Sequence, residues 1–194
     1  MKFLPTTKEE MKNLGWDSID VLLISGDTYL DTSYNGSALV GKWLVEHGFK
    51  VGIIAQPEVD VPDDITRLGE PNLFFAISGG CVDSMVANYT ATKKRRQQDD
   101  FTPGGVNNKR PDRAVLVYSN MVRRFFKGTT KKIVISGIES SLRRITHYDY
   151  WTNKLRKPIL FDAKADILSY GMGEMSMLQL ATALKNGEDW QNIR

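Results

Sequence analysis

Five short apolar runs, spaced by polar and amphipathic stretches, set the pattern of this chain. They are Val21-Leu22-Leu23-Ile24, Val51-Gly52-Ile53-Ile54-Ala55, Leu73-Phe74-Phe75-Ala76-Ile77, Lys132-Ile133-Val134-Ile135 and Ile167-Leu168-Ser169-Tyr170. Near-continuous apolarity over four or five residues, without alternation, is what strands covered on both faces of a parallel sheet look like. Between the first two runs, Leu39, Val40, Trp43 and Leu44 fall on one helical face, and Gly48 stands where a C-terminal cap belongs. Strand, helix, strand is a βαβ unit. The same alternation continues along the chain and predicts an α/β fold: a doubly wound, mainly parallel five-stranded sheet with helices on both faces, Rossmann-like.

Other segments fit around this frame. Residues 1–20 read as an N-terminal arm. Within it Thr7 caps a short helix from Lys8 to Asn13 with Glu10 as its capping-box partner, and Trp16 and Ile19 tie the arm down. Residues 21–194 form one domain. Asp60 to Leu68 predicts a weak helix with Pro62 in its first turn, and Val82 to Tyr89 begins another. Val115, Tyr118, Val122 and Phe125 repeat at helical spacing, with Asp112 as the expected N-cap. Met177, Leu178, Ala181 and Leu184 mark a last helix that finishes at Gly187. Two irregular insertions interrupt the alternation, at 90–112 and 140–157. The first, polar and rich in Gly, Pro and Asn, is expected to be mobile. After the second, Ile159–Phe161 is expected to extend briefly.

Composition narrows the classes. With 194 residues, 41% hydrophobic and 25% charged, the chain can bury a real core. No apolar run approaches the roughly 18 residues that span a bilayer, and the N-terminus lacks a signal peptide's apolar stretch; no membrane partner and a cytoplasmic location are the expectations. A single cysteine, Cys81, rules out an internal disulfide and cannot by itself supply an iron–sulfur cluster. The net charge of +3 is an uneven average. Tyr89 to Arg113 alone holds seven Lys/Arg against three Asp, so the remainder is slightly acidic.

Candidate chemistry gathers where strands end. Gly26-Asp27, Ser78-Gly79-Gly80, Ser136-Gly137-Ile138-Glu139 and Gly171-Met172-Gly173-Glu174 are small and rich in acceptors. Glycine lets a ligand approach the backbone, and ligands of such sheets bind outside the carboxyl ends of the strands. None of these is a GxGxxG fingerprint or a GxxxxGK[ST] phosphate loop, which argues against an ordinary NAD enzyme or nucleotide hydrolase. The candidate pocket or interdomain residues are Asp27, Tyr29, Asp31, Ser78, Gly79, Gly137, Glu139, Arg143, Arg144, His147, Gly171 and Glu174. Arg143 and Arg144 follow Glu139 closely and are the expected counter-charges of the rim, with the 140–157 loop folded over it. His147 lies two residues from Asp149, which would suit proton handling, although packing within its aromatic loop is the simpler role. His47 stands at a helix end, where a partial positive charge suits the dipole. Cys81, at an expected helix N-terminus, would have a lowered thiol pKa but has no base nearby in sequence.

Several strings are specific to a family. Phe3-Leu4-Pro5-Thr6, Leu14-Gly15-Trp16-Asp17, Gly52-Ile53-Ile54-Ala55-Gln56-Pro57, Tyr118-Ser119, Arg143-Arg144-Ile145-Thr146-His147-Tyr148-Asp149-Tyr150-Trp151 and Asp162-Ala163-Lys164-Ala165-Asp166 occur in that order. Over essentially its whole length the chain resembles the amino-terminal domain of YgiQ-type radical SAM proteins. The resemblance implies a domain similar to the cobalamin-binding domains that precede a radical SAM barrel. It also implies that the barrel, with its CxxxCxxC cluster motif, follows downstream; no such motif occurs here. The [4Fe–4S] cluster and S-adenosylmethionine (SAM) then belong to that downstream part, and the expected partner of this chain is its own barrel. The chain would be an accessory domain, inactive alone, with no catalytic, cofactor or metal residue of its own and a substrate the sequence does not name.

Cobalamin domains that ligate through histidine carry DxHxxG on the first βα loop. Here Asp31 and Gly36 keep that spacing, but Ser33 replaces the histidine, which excludes lower-axial ligation at that position; cobalamin held without a histidine stays open, although the reading is against it. A different class remains open: a nucleic-acid or other polyanion-binding module using the basic insertion at 93–113, with Tyr89 and Phe101 as stacking candidates.

Overall fold

The computed structural model describes residues 3–32 and 35–193. Five strands form one parallel sheet: β1 (Val21–Ser25), β2 (Val51–Ala55), β3 (Phe74–Ser78), β4 (Lys132–Ser136) and β7 (Ile167–Leu168), in the order β2-β1-β3-β4-β7. The helices are α1 (Lys8–Asn13), α2 (Gly36–Glu46), α3 (Pro62–Thr66), α4 (Ser84–Asn88), α5 (Ala114–Phe125), α6 (Gly137–Leu142), α7 (Ile159–Asp162) and α8 (Glu174–Lys185). Two further strands, β5 (His147–Asp149) and β6 (Lys154–Arg156), pair as a separate antiparallel hairpin.

Successive side chains of each strand go to opposite faces, so each apolar run feeds two cores. Leu22, Ile24, Phe75, Ile77, Ile133 and Ile135 pack beneath α5 together with Ile19 of the arm and Ile65 of α3. Val21, Leu23, Ile53, Phe74, Ala76 and Val134 pack against α2 and α8, joined by Leu4, Leu44 and Met177. The Thr7–Glu10 capping box forms as expected, and Pro62 opens α3.

Four local expectations are corrected. The N-cap of α5 is Arg113 in a left-handed conformation (φ +55°), because the Asp112 carboxylate is already taken by Asn88 Nδ2 at 2.7 Å and Tyr89 Oη at 2.7 Å. Residues Ile159–Phe161 are helical, entered from Pro158. The 140–157 stretch holds the end of α6 and the β5–β6 hairpin. The 90–112 insertion is anchored: Asp99, Thr102, Asn107 and Arg110 are buried, and only the run from Ala91 through Gln98 is exposed throughout.

A cleft at the strand switch point

The strand order reverses direction between β1 and β3. That is the topological switch point, where connections diverge to opposite faces and leave a crevice above the carboxyl ends. A cleft of about 280 Å³ occupies this position, with Ser25, Asp27, Ser78 and Ser136 at the strand ends and α2 and α8 as walls. Ser25, Ser78 and Ser136 stand in register on neighbouring strands, so three hydroxyl-bearing residues form one row across its floor. The volume is at the low end of ligand pockets, roughly 300–1,000 Å³. A second, more open groove of about 590 Å³ runs along the outer edge of β7, and Tyr170, Met172 and Met177 line it.

Asp27 is the best-ordered charge of the cleft. Its Oδ1 accepts from Arg110 Nη2 at 2.5 Å and its Oδ2 from the Cys81 backbone N–H at 2.5 Å. Arg110 also donates through Nε to Gly26 O at 3.0 Å and ion-pairs with Asp99 at 3.2 Å. Gln56 donates to Gly26 O and to the Thr102 hydroxyl, and Thr28 N–H to Phe101 O at 2.9 Å. The basic insertion is thereby clamped onto the first strand end. Close approach requires the glycines here. A Cβ on Gly26 would lie 2.1 Å from Gly79 O, and one on Gly80, at φ +113°, would lie 2.2 Å from Asp27 Oδ1.

The candidate residues divide by position. Asp27, Ser78, Gly137, Gly171 and Glu174 line the cleft. Gly79 packs its backbone between Gly26 and Glu139. Glu139 is buried beneath, accepting from Ser84 N–H at 3.0 Å and Val115 N–H at 3.3 Å, so it joins α4, α5 and α6; burial holds its carboxyl above the usual range. The Tyr29 hydroxyl accepts from Leu4 N–H at 2.9 Å, and Asp31 pairs with Lys42 at 2.6 Å. The expected rim counter-charges are corrected: Arg143 pairs with Asp83, at the N-cap of α4, and Arg144 donates to Ser141 O and lies over the Tyr170 ring. The rim's counter-ion is Arg110. From sequence alone, an arginine beside Lys109 in a polar loop reads as solvated.

His147 lies on the hairpin, away from the cleft. Its Nδ1 is 3.2 Å from Ile145 O, and its Nε2 is buried without a hydrogen-bond partner among the described residues. Asp149 is spent on Arg113 at 2.7 Å and on Thr152, so the two do not form a proton relay. The Cys81 expectation is also reversed. Burial, then the Asp27 carboxylate, push its thiol up to about 11, which keeps it protonated. His47 ends α2, its Nδ1 2.7 Å from Trp43 O.

Exposed apolar side chains flank the cleft on its α6 and β7–α8 side. Ile138 and Leu142 of α6, Ile145, Tyr170, Met172 and Met175 are all exposed, Met172 to 89%. The Gly171 N–H donates to Ser141 Oγ at 3.3 Å, and Arg144 stacks on Tyr170, so the α6 side and the β7–α8 side form one rim.

An open parallel sheet with a cleft at its switch point is the architecture of the doubly wound α/β class. Within that class the match is specific. The Radical SAM N-terminal family model covers residues 3–194, and the chain belongs to that family. It is 97% identical over 194 residues to a UPF0313 protein of Fusobacterium nucleatum, matching all of this chain and 34% of that protein. A UPF0313 protein of Thermotoga neapolitana is 58% identical over 192 residues, again 34% of its length. The chain therefore spans about a third of the curated relatives it matches. Two structures of the radical S-adenosylmethionine methyltransferase TsrM from Kitasatospora setae share the fold. One, with tryptophan and a SAM analogue, superposes with TM-score 0.57 at 16% identity over 89% of this chain and 27% of that one. The other, with cobalamin and a [4Fe–4S] cluster, gives 0.56 at 15% identity over 91% and 26%.

These neighbours raise two cofactors. A [4Fe–4S] cluster does not fit this chain: one thiol cannot supply its ligands, and among the described residues no group of three His, Cys, Asp or Glu is placed to hold a metal. Histidine-ligated cobalamin does not fit either. Ser33 stands at the ligand position, outside the described residues, and Asp31, which would orient a histidine there, is committed to Lys42.

Proposed function

We propose that this chain is the accessory domain of a radical SAM enzyme, closing over the open end of a downstream barrel and contributing its cleft to the substrate pocket. The observation that carries this reading is the rim. The carboxylate-bearing cleft is flanked on its α6 and β7–α8 side by exposed Ile138, Leu142, Tyr170 and Met172, and exposed apolar side chains grouped beside a cleft are what a covered surface presents. The threefold greater length of the relatives leaves room for a covering partner outside this chain, which supports the reading. In this reading Asp27, Ser78, Gly137, Gly171 and Glu174 face the substrate, and Arg144 belongs to the interdomain contact. The barrel holds the [4Fe–4S] cluster and SAM and performs the radical chemistry; this chain binds, excludes water and positions.

The test uses the full-length protein. Leu142→Asp and Met172→Asp place charge on the rim without touching either core. Both variants should keep the cluster's absorbance yet lose coupling of SAM cleavage to substrate turnover. Wild-type turnover in both would refute the rim as the interdomain contact. The 194-residue chain alone should bind neither iron nor sulfide.

A further inference from the structure

The two insertions that interrupt the alternation meet on one surface. Tyr89 and Trp151 stack with ring centroids 5.1 Å apart, and Tyr150 abuts Trp151 at 5.6 Å. Lys93 Nζ lies 4.6 Å over the Tyr150 ring, the Tyr150 hydroxyl donates to Ala91 O at 2.9 Å, and Arg95 lies over Tyr89. The hairpin's period of two explains the arrangement. Asp149 turns inward to Arg113 and anchors it, whereas Tyr148, Tyr150 and Leu155 turn outward and are exposed.

The charge balance is equally local. Residues 89–113 and 143–157 together carry twelve Lys/Arg against four Asp, while the rest of the chain has more acidic than basic residues. Asp99 and Asp149 are buried and already paired, and Asp112 is paired with Arg95. Lys94, Lys109, Lys154 and Lys157 form no ion pair among the described residues. Exposed aromatic faces flanked by uncommitted cations are the two components that hold a single-stranded nucleic acid: phosphates on the cations, bases on the rings.

We propose that the joined surface of the 90–98 segment and the β5–β6 hairpin binds single-stranded nucleic acid. The site is separate from the cleft, and the inference does not depend on the accessory-domain reading. An apolar protein partner would use Leu155 and the rings but would leave the unpaired Lys94 and Lys154 without counter-charges.

The experiment is fluorescence anisotropy with a labelled oligouridylate of about 12 nucleotides, within the usual single-strand site size, and its deoxy counterpart. Both the 194-residue chain and the full-length protein are titrated. Binding should weaken at least tenfold between about 50 and 200 mM salt. Lys94→Glu combined with Lys154→Glu should weaken it at least tenfold and flatten the salt dependence. Tyr148→Leu with Tyr150→Leu should weaken it several-fold at an unchanged salt slope, the signature of lost stacking. Tighter binding of the ribo-oligomer assigns RNA; equal binding assigns any single strand. No binding at low salt, variants that bind like wild type, or a base-free polyphosphate that competes as well as the oligonucleotide would each overturn the proposal.

Discussion

Arg110 and Asp27 are 83 residues apart in sequence and 2.5 Å apart in space, with both side chains withdrawn from solvent. This pair fastens the basic insertion to the end of β1 and so shapes one wall of the cleft. Breaking a buried pair from one side costs about 3–5 kcal/mol, because the remaining charge is left dry and unpaired. Arg110→Met, which leaves Asp27 and Asp99 both uncompensated, should lose stability of that order by urea denaturation. The amides of Thr28, Asp99 and Gly105, which bond across the insertion, should lose hydrogen-exchange protection before those of β3. Unchanged stability would mean the pair is not a clamp.

Gly26 tests the close approach of β1 and β3 loops. A Cβ there meets a backbone oxygen rather than a mobile side chain, so relief needs the strand ends to part. Gly26→Ala should therefore destabilise the fold by about 1–3 kcal/mol. Gly36→Ala, where a Cβ meets nothing within 4 Å, is the control and should be nearly silent. Equal melting temperatures for the two variants would contradict the packing described.

Asp149 anchors the hairpin and gives it a pH dependence. Burial pushes its carboxyl up, but the Thr152 hydroxyl and the Arg113 guanidinium outweigh this and hold it at about 2, against 3.8 when exposed. A carboxyl lowered on folding contributes stability that is complete above its unfolded value and lost as pH falls through its folded one. The contribution is about 2 kcal/mol. Asp149→Asn should be less stable by about that amount at neutral pH, with the two curves converging as pH drops from about 4 toward 2. A constant gap across this range would place the stabilisation elsewhere.

The sheet was legible because each strand is apolar on both faces and the longer helices show their period, as the α5 face of Val115, Tyr118 and Val122 does; α6 and α7 are too short to show one. Strand ends rich in Gly and Ser pointed to the cleft, since only small residues let β1 and β3 loops touch. What the sequence hid was long-range pairing. Arg143 and Glu139 are neighbours in sequence, yet the arginine reaches Asp83 and the glutamate takes backbone N–H groups from α4 and α5. Arg110 carries no local pattern that separates it from the solvated lysines beside it. The hairpin was unreadable for a related reason: its turn at 150–153 lacks an Asn-Gly or Asp-Gly signal, and its one aliphatic residue, Leu155, faces outward, so no apolar/polar alternation marks the strands.

The central claim is that the cleft rim is an interdomain surface. Hydrogen–deuterium exchange of residues 137–146 and 170–175, compared between the 194-residue chain and the full-length protein, tests it most directly. The account predicts marked protection of both segments in the full-length protein, with the amides of β1 and β3 unchanged. Equal exchange of the rim segments in the two proteins would show that nothing covers them and would contradict the account.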